Sequence, residues 1–475
     1  MTPVPDSAAE RAAAPRGLLR DLVAAVRGTQ RDYTTGPIGT ALLLLAVPMV
    51  LEMVMESVFA VVDVYWVASL GAPAVAAVGL TESLLSLMYA VAMGLGMGAT
   101  ALVARRVGEK DPDGAARSAV QAAAVAVAAS LPFAVVGIVW GDGLLALMGA
   151  DAETAAVGAG YVAWMLGGNA VIMLLFVLNA VFRGAGDAAT AMRVLWLANG
   201  INLVLDPLLI FGWGPVPAMG VTGAAIATTV GRGTAVLLQV VLLLRGTPHL
   251  HSLARHLRLR ADVMGRLVRT SAGGIAQFAV GTTSWVFLVR IVAEFGAEAL
   301  AGYTIAIRIF LFTLLPAWGL SNAAATLVGQ NLGAGKPARA ERSVWIAGVV
   351  TSVVLGLVAV TYVVWDQALV RLFTDDAAVV AVGAECLRYL AYGYVIFAWA
   401  MVIPQAFNGA GDTMTPTWIN LACFWAVQMP VAWALAFPLG LDERGIYLSI
   451  TLANTGAAAL AVVLFRRGTW KTTVV

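Results

Sequence analysis

The sequence predicts an all-α integral membrane protein whose twelve transmembrane helices form two pseudo-symmetric six-helix lobes. The 475 residues are 60% hydrophobic and only 12% charged, with a mean hydropathy of +0.87. Soluble domains carry about twice this charged fraction. Two further observations support the prediction: a series of long apolar segments, and a second half of the chain that repeats the first.

Twelve apolar segments are long enough to cross a bilayer, which requires about 20 residues in a helix. Breaks rich in polar residues, glycine or proline separate them, as at 69–73, 108–114 and 211–220. We place the first six helices near 37–68, 75–104, 116–140, 155–182, 188–212 and 220–244. The second six lie near 265–294, 300–331, 341–365, 380–406, 413–438 and 445–465.

The repeat is visible in the loops as well as in the spans. The hexapeptide FRGAGD at 182–187 recurs as FNGAGD at 407–412, an offset of 225 residues. The same offset relates further positions: Gly71 to Gly296, Gly108 to Gly333, and Pro112 to Pro337. Each half has an even number of helices, so the halves share one orientation. Transporters with such parallel repeats bind substrate between two lobes; a duplicated channel or scaffold is the alternative.

Five regions follow from this organisation: a cytoplasmic tail (1–36), an N-lobe (37–245), a cytoplasmic linker (246–264), a C-lobe (265–467) and a C-terminal tail (468–475). The first tail has mixed charges and no apolar core followed by a cleavage site, unlike a signal peptide. Its segment 17–28 suits either a short interfacial helix or a solvated tail. In the linker, His249, His251 and His256 could form a pH sensor or metal tract, but we favour a solvated connector.

Lysine and arginine dominate the connections after the even-numbered helices, whereas acids dominate the opposite side. The positive-inside rule therefore predicts a multi-pass protein of the plasma membrane with both termini in the cytoplasm. The net charge of +2 is too small to indicate nucleic acid binding. Cys386 and Cys423 lie in apolar segments and read as small core residues. We expect no cofactor, and no metal cluster of histidine and cysteine within the membrane.

An acidic stripe in the first span, at 48–63, is the strongest functional signal. Glu52, Glu56 and Asp63 follow at helical spacings, so they project within about 40° of one another. Each ionised carboxylate at bilayer depth costs on the order of 2.5–3.5 kcal/mol. Such groups are therefore kept mainly where they face a cavity, a partner or an ion path; the alternative, a helix end that directs its acids to water, suits Asp63 but not Glu52. The sequence assigns no partner to Glu52 or Glu56, which could extend a proton path or face a cation in the cleft.

The fifth span carries Asn199, Asn202 and Asp206 at helical spacings, directly before Pro207. Asp63 and Asp206 fall at similar depth, and Glu82 of the second span falls nearby. The repeat mates of Asp63, Asn202 and Asp206 are Leu288, Val427 and Val431, so the acids belong to the N-lobe alone.

We predict a coupling-ion site formed by Asp63, Asn202, Asp206 and Asn199. Two carboxylates within about 4–6 Å resist double ionisation and can carry a proton. The same oxygens would suit Na⁺, which would then be the metal at this site. A buried network that serves only helix packing is the third interpretation.

Arg308 is the notable charge within the eighth span. It lies one position from the repeat mate of Glu82. An ion pair between the lobes, broken during transport, would explain it, but we favour an arginine satisfied within its own lobe.

These residues resemble the multidrug and toxic compound extrusion (MATE) transporters over roughly 37–465. The resemblance rests on Pro48 and Asp63, on NLVLDP in the fifth span, on RGAGD and NGAGD, and on TLVGQNLGAGK at 326–336. It implies export of organic, often cationic or amphipathic compounds, driven by H⁺ or Na⁺ entry through alternating access. Coupling roles carry over to Asp63, Asn202 and Asp206, and the proline that bends on protonation carries over to Pro48. Because spans 7 and 10 lack the acids of another branch, the chain looks like the DinF-like branch.

The sequence thus predicts an H⁺-coupled multidrug antiporter that acts as a monomer, not an enzyme. Its partners would be small organic cations or amphipathic drugs, H⁺ or Na⁺, and the lipid bilayer. Glu52, Glu56, Glu82 and Arg308 would line the cleft or the proton path. A Na⁺-coupled antiporter and a lipid-precursor flippase are the alternatives. We find no interfacial nucleophile or metal set for an enzyme, and the GAGD turns lack the lysine of a phosphate loop.

Overall fold

The computed structural model describes residues 18–28, 31–247 and 250–474, and the regular elements within them are all helices. Residues 1–17, 29–30, 248–249 and 475 lie outside this part of the chain, so the description omits His249 and about half of the predicted N-terminal tail. Eleven described helices are long and apolar enough to cross a membrane, and a bent pair supplies a twelfth span.

The first lobe contains α2 to α8, preceded by a short helix α1 over Leu18–Arg27. Its helices are α2 (Ile38–Ala68), α3 (Ala72–Gly108), α4 (Pro112–Leu147), α5 (Ala152–Gly167), α6 (Asn169–Gly184), α7 (Ala188–Phe211) and α8 (Val221–Arg245). The second lobe contains α9 (Ala261–Val292), α10 (Ala297–Gly333), α11 (Pro337–Val364), α12 (Asp366–Arg371), α13 (Ala377–Ala410), α14 (Met414–Asn420), α15 (Met429–Ala436) and α16 (Glu443–Arg467). A π-helical segment, Leu421–Gln428, joins α14 to α15 into one span.

The two lobes repeat each other in backbone detail. Helices α3 and α10 both have 37 residues and begin 225 positions apart. The glycines that precede them, Gly71 and Gly296, have φ of 98° and 100°, a region that side chains disfavour. Gly186 and Gly411, in the two GAGD turns, are equally matched at 88° and 91°. The predicted class of twelve helices in two pseudo-symmetric lobes is thereby confirmed.

Two predicted spans are less regular than the sequence suggested. The fourth, expected as one helix over 155–182, bends by 43° between α5 and α6. Gly167 and Gly168 lie at the bend, and a Cβ on Gly168 would come within 2.8 Å of the Trp164 carbonyl oxygen. The eleventh widens into the π-helical segment, a feature that often marks functional sites. Neither irregularity is encoded in hydropathy.

The lobes close on each other at one end, which we call the closed end. It is the end that carries the α3–α4 and α10–α11 turns. There Gly108 of α3 packs on the carbonyl of Gln330, and its repeat mate Gly333 packs on the carbonyl of Arg105, the mate of Gln330. Because a Cβ at either glycine would overlap the facing backbone, the crossing requires glycine at both positions. At the opposite, open end the lobes separate around a cavity.

Both described ends of the chain lie against the closed end. Lys336 donates to the Thr34 carbonyl over 2.9 Å, and Arg105 donates to the Thr473 carbonyl over 2.8 Å. Asp32 accepts hydrogen bonds from Lys110 at 2.7 Å and from Thr34. Burial alone would raise the pKa of Asp32, but these hydrogen bonds outweigh it and lower the pKa to about 2. Asp32 is therefore ionised at neutral pH, and residues 31–36 contact both lobes.

The linker is anchored on the first turn of α4. His251 Nδ1 and His256 Nε2 lie 2.9 and 2.8 Å from the same oxygen of Asp113. Leu253–Arg255 forms a short 3₁₀ turn between them. Whether the linker is a connector or a pH sensor stays a prediction, and His249 lies outside the described residues.

Candidate functional site

Asp206 of α7 is a buried carboxylate in the first lobe, at 0% exposure. Asn202, one turn earlier on α7, is 2% exposed. We orient its amide from the hydrogen-bond network: the nitrogen donates to Asp206 Oδ2 over 2.7 Å, and the oxygen accepts from the Thr228 hydroxyl and backbone N–H. Pro207 follows within the same helix. Among the described residues, the Asn202 amide is the side chain that hydrogen-bonds Asp206, and no cation does so.

Asp63 and Glu82 bring two further carboxylates to this region, from α2 and α3. Asp63 is partly buried. It is an electrostatic neighbour of Asp206 and of Glu82, meaning that the groups lie close enough for their charges to interact. Among the described residues, none of the three carboxylates forms a salt bridge. The structure therefore brings Asp63, Asn202, Asp206 and Glu82 together from three helices of one lobe. Asn199 lies apart from this group.

Arg232 of α8 is a central residue that the sequence reading missed. Its side chain is 7% exposed, its NH2 lies 3.4 Å from Glu56 Oε1, and its guanidinium lies 5.7 Å from the Phe59 ring centroid. It is also an electrostatic neighbour of Asp63 and Glu82. A lone arginine inside an apolar span was the available signal, because such a charge is costly unless it is paired.

Glu56 forms a second layer, one step closer to the closed end. Its other oxygen, Oε2, accepts from Asn199 Nδ2 over 3.1 Å. Its side chain is 30% exposed and lines the cavity between the lobes. Asn199, expected in the coupling-ion site, therefore contacts Glu56 rather than Asp206.

Glu52 forms the third layer and is buried, at 1% exposure. Its Oε1 accepts from Arg183 over 2.7 Å and from Asn179 over 3.2 Å. Gln239 in turn donates to Asn179 over 2.5 Å. Glu52 and Glu56, which had no partner in the sequence reading, thus each have one arginine and one asparagine. Of the acidic stripe, only Asp63 is left without such a pair.

The buried Glu52–Arg183 pair leads to a stability prediction. Glu52→Gln keeps the shape of the side chain but leaves the Arg183 guanidinium, 15% exposed, without its counter-ion. Removing one partner of a buried pair typically costs about 3–5 kcal/mol, so we expect a clearly lower thermal midpoint in detergent. Glu109→Gln is the matched control, because its pair with Arg106 has the same 2.7 Å length but is 30–35% exposed. Exposed pairs contribute about 0–1 kcal/mol. Equal midpoints for the two variants would contradict the assignment.

The cavity between the lobes has a volume of about 1720 Å³, including its open mouth. Its walls are mainly apolar and aromatic, with polar groups from Gln277, Gln405, Asn420 and Asn454. Glu56 and Arg308 are the charged side chains among its lining residues. Arg308 is exposed and takes part in none of the salt bridges among the described residues, so it faces the cavity instead of an acid of either lobe.

Pro48 is buried within α2, which continues as one helix from Ile38 to Ala68. Directly after it, at Met49 and Val50, α2 packs closely against α10 of the other lobe. A Cβ on Gly319 of α10 would lie 2.8 Å from the Val50 nitrogen and 2.9 Å from the Met49 carbonyl. The part of α2 that directly follows Pro48 is therefore also a contact between the lobes.

Comparison with known proteins agrees with this architecture. The MatE family model matches residues 48–208 and 275–434, more than half of the chain. The probable multidrug resistance protein NorM of Thermotoga maritima is 25% identical over 454 residues, which cover 90% of this chain and 92% of that protein. The probable multidrug resistance protein YoeA of Bacillus subtilis is 24% identical over 432 residues, covering 90% and 93%.

A solved structure described as the outward-facing conformation of a multidrug resistance MATE family transporter of the MOP superfamily has the same fold. It matches with a TM-score of 0.86 and 25% identity, covering 93% of this chain and 98% of that one. The matched family segments span equivalent parts of both lobes, including Pro48, Asp63 and Asp206. The chain therefore belongs to the MATE family of membrane transporters.

Proposed function

We propose that this chain is a secondary active multidrug efflux antiporter, which exports organic, often cationic compounds in exchange for H⁺ by alternating access. It would act as a monomer in the plasma membrane, with both termini in the cytoplasm. The cavity between the lobes carries the proposal, because its wall is largely apolar and holds one accessible carboxylate, Glu56. The names of the relatives, multidrug resistance proteins, support the same substrate class.

The chemistry of the cavity favours breadth over selectivity. Aromatic and methionine side chains accept differently shaped apolar groups, and few polar groups demand a fixed partner. Aromatic faces also attract organic cations. The lining aromatic residues include Phe278, Trp285, Phe312, Trp318 and Phe424.

Proton coupling is supported by the Asp63–Asp206 group. An ionised carboxylate buried without a cation is costly, and the hydrogen-bond partner of Asp206 among the described residues is the Asn202 amide. Uptake of a proton, or of a small cation such as Na⁺, removes this cost. We assign H⁺ as the coupling ion and Asp63, Asn202 and Asp206 as its site, with Pro48 as the point where α2 bends.

Alternating access is supported by the geometry of the closed end. In the proposed orientation the described conformation is open outward, because Thr34 and Thr473, in the segments assigned to the cytoplasm, lie at the closed end. Opening that end would separate the paired contacts Gly108–Gln330 and Gly333–Arg105, and would release the contacts of residues 31–36 with one lobe.

The decisive test is transport by the purified protein in liposomes, with ΔpH and ΔNa⁺ imposed separately. We expect a ΔpH, acidic on the side opposite the termini, to drive ethidium transport without sodium. Transport by ΔNa⁺ at equal pH would instead establish the Na⁺-coupled version. Failure to move any organic cation under either gradient would contradict the proposed function, and movement of lipid-linked sugars in its place would indicate a flippase.

Binding in the cavity leads to a separate prediction for Trp318. Its ring stacks on Phe278, with centroids 5.7 Å apart and planes within 9°. Trp318→Ala should raise the Kd for ethidium about fivefold, since a cation–π contact contributes about 1 kcal/mol. Fluorescence titration in detergent measures the Kd. Trp365→Ala, at an exposed site 56% accessible, is the control and should leave the Kd unchanged. Equal Kd values for the two variants would place the substrate elsewhere.

A further inference from the structure

We propose that Arg232 is a tethered cation that exchanges carboxylate partners during transport. It pairs with Glu56 in one state, and with Asp63 and Glu82 when a substrate cation occupies Glu56. The inference rests on the proposed function and deepens it, because it names the residue that makes substrate and proton binding mutually exclusive.

The contacts of Arg232 are those of a group with unused bonding capacity. Its NH2 reaches Glu56 Oε1 at 3.4 Å, at the long limit of a hydrogen bond. Its Nε and NH1 are buried and meet no acceptor at hydrogen-bond geometry among the described residues, and Tyr89 is the polar side chain that interacts with the guanidinium besides the acids. A guanidinium has five N–H donors in a fixed fork, so most of its donors are available to a second carboxylate. The Glu52–Arg183 pair, at 2.7 Å, is shorter by comparison.

Arg232 interacts with three acids. Its guanidinium packs over Phe59, which lies between Glu56 and Asp63 along α2. Glu56 is in contact with it, and the charges of Asp63 and of Glu82 in α3 also interact with it. Tyr89 of α3 and Tyr161 of α5 are the other titratable groups facing it. Asp206 of α7 interacts electrostatically with Asp63. One cation thus faces three carboxylates and cannot pair closely with all of them.

The lining of the cavity determines which acid a substrate meets there: Glu56 is among the lining residues, whereas Asp63 and Glu82 are not, although the Glu82 side chain is exposed. The Glu56 side chain is 30% exposed to the cavity, whereas Arg232 is 7% exposed. An organic cation in the cavity therefore meets Glu56 and competes with the NH2 group of Arg232 for it. Once displaced, the guanidinium lowers the energy of an ionised Asp63 or Glu82 by pairing with it.

Proton binding reverses this exchange. A proton taken up by Asp63 removes its negative charge, so Arg232 loses that partner and returns to Glu56. Glu56 is then neutralised, and the substrate cation loses its counter-ion and leaves. Proton binding at Asp63 thus opposes substrate binding at Glu56, although the proton and the substrate do not meet. Antiport requires this opposition.

The first test is the pH dependence of tetraphenylphosphonium binding to the purified protein in nanodiscs. In the wild type we expect the Kd at pH 6 to exceed that at pH 8.5 at least tenfold. In Arg232→Gln this ratio should fall below twofold, and in Arg232→Lys, which keeps the charge, most of it should return. Arg290→Gln, on the exposed surface of α9, is the control and should keep the wild-type ratio.

The outcomes separate the two proposals. A wild-type Kd that does not depend on pH would contradict proton coupling itself. A wild-type ratio that persists in Arg232→Gln would overturn the role of Arg232 and leave the proposed function intact.

The second test uses the wild type, in case Arg232→Gln does not fold. The Nε–H signal of Arg232 in ¹⁵N-arginine-labelled protein is assigned by its absence from Arg232→Lys. Saturating tetraphenylphosphonium at pH 8.5 should shift this signal, while the Arg290 signal stays in place. An Arg232 signal that does not move on binding would overturn the exchange of partners.

Discussion

Asp63→Asn should reduce export of ethidium driven by ΔpH at least tenfold in everted membrane vesicles. Asparagine keeps the shape of the side chain but cannot release a proton, so Asp63 could no longer alternate between a charged state and a neutral one. Asp63 is also the member of the acidic stripe without a hydrogen-bonded arginine, since Arg183 serves Glu52 and Arg232 contacts Glu56. One charge crossing 100 mV supplies about 2.3 kcal/mol; uncoupling removes that contribution.

Asp375→Asn is the matched control for this experiment. It changes the same side chain at an exposed position between α12 and α13, outside the first lobe, and should export at the wild-type rate. Comparable amounts of each variant in the membrane must be verified by immunoblot. Equal export by Asp63→Asn and the wild type would contradict the coupling role of Asp63.

Gly108→Val should abolish export by preventing the closed end from sealing. A Cβ at Gly108 would overlap the carbonyl of Gln330, and backbone cannot be displaced as cheaply as the end of a side chain. Helices α3 and α10 would have to separate at their closest crossing. We expect export to fall at least tenfold, together with loss of the conformation that is open at the other end.

Reactivity of a cysteine introduced at Ser57, in the cavity wall, measures that conformation. A membrane-impermeant maleimide should label Ser57→Cys readily from outside, and much more slowly when Gly108→Val is also present. The native thiols, Cys386 and Cys423, are both buried. Gly79→Val is the control, because a side chain at Gly79 on the same helix meets no atom within 4 Å. Fast labelling and normal export by Gly108→Val would refute the requirement for glycine.

The three acids on α2 differ stepwise in how firmly their partners hold them. Glu52 is sealed by Arg183 and Asn179, Glu56 is shared between the cavity and Arg232, and Asp63 is unpaired. From Glu52 to Asp63, the acids thus have fewer side-chain partners that hold them in place, and they are freer to bind a proton or a cation. This gradient explains why three acids at similar spacing have different expected effects: instability for Glu52 and lost coupling for Asp63.

The sequence alone determined the membrane class, the twelve spans and the repeat. Hydropathy is a local property of the chain, and the 225-residue repeat is recognised by comparing residue identities within the sequence. Both can therefore be determined without coordinates. The grouping of Asp63 near Asp206 also followed from depth, since rise per residue is constant in a helix. The sequence did not predict the bend at Gly167–Gly168 or the π-helical segment, because each depends on packing against other helices.

Only the tertiary structure decided which charges meet. Glu52 and Arg183 are 131 residues apart, and Glu56 and Arg232 are 176 apart. Their pairing depends on the rotation of α2, α6 and α8 about their axes, and on how closely small residues let those helices approach. Neither quantity is a property of one segment. For that reason the sequence identified the acidic stripe, whereas the fold assigned Arg183 and Arg232 to it.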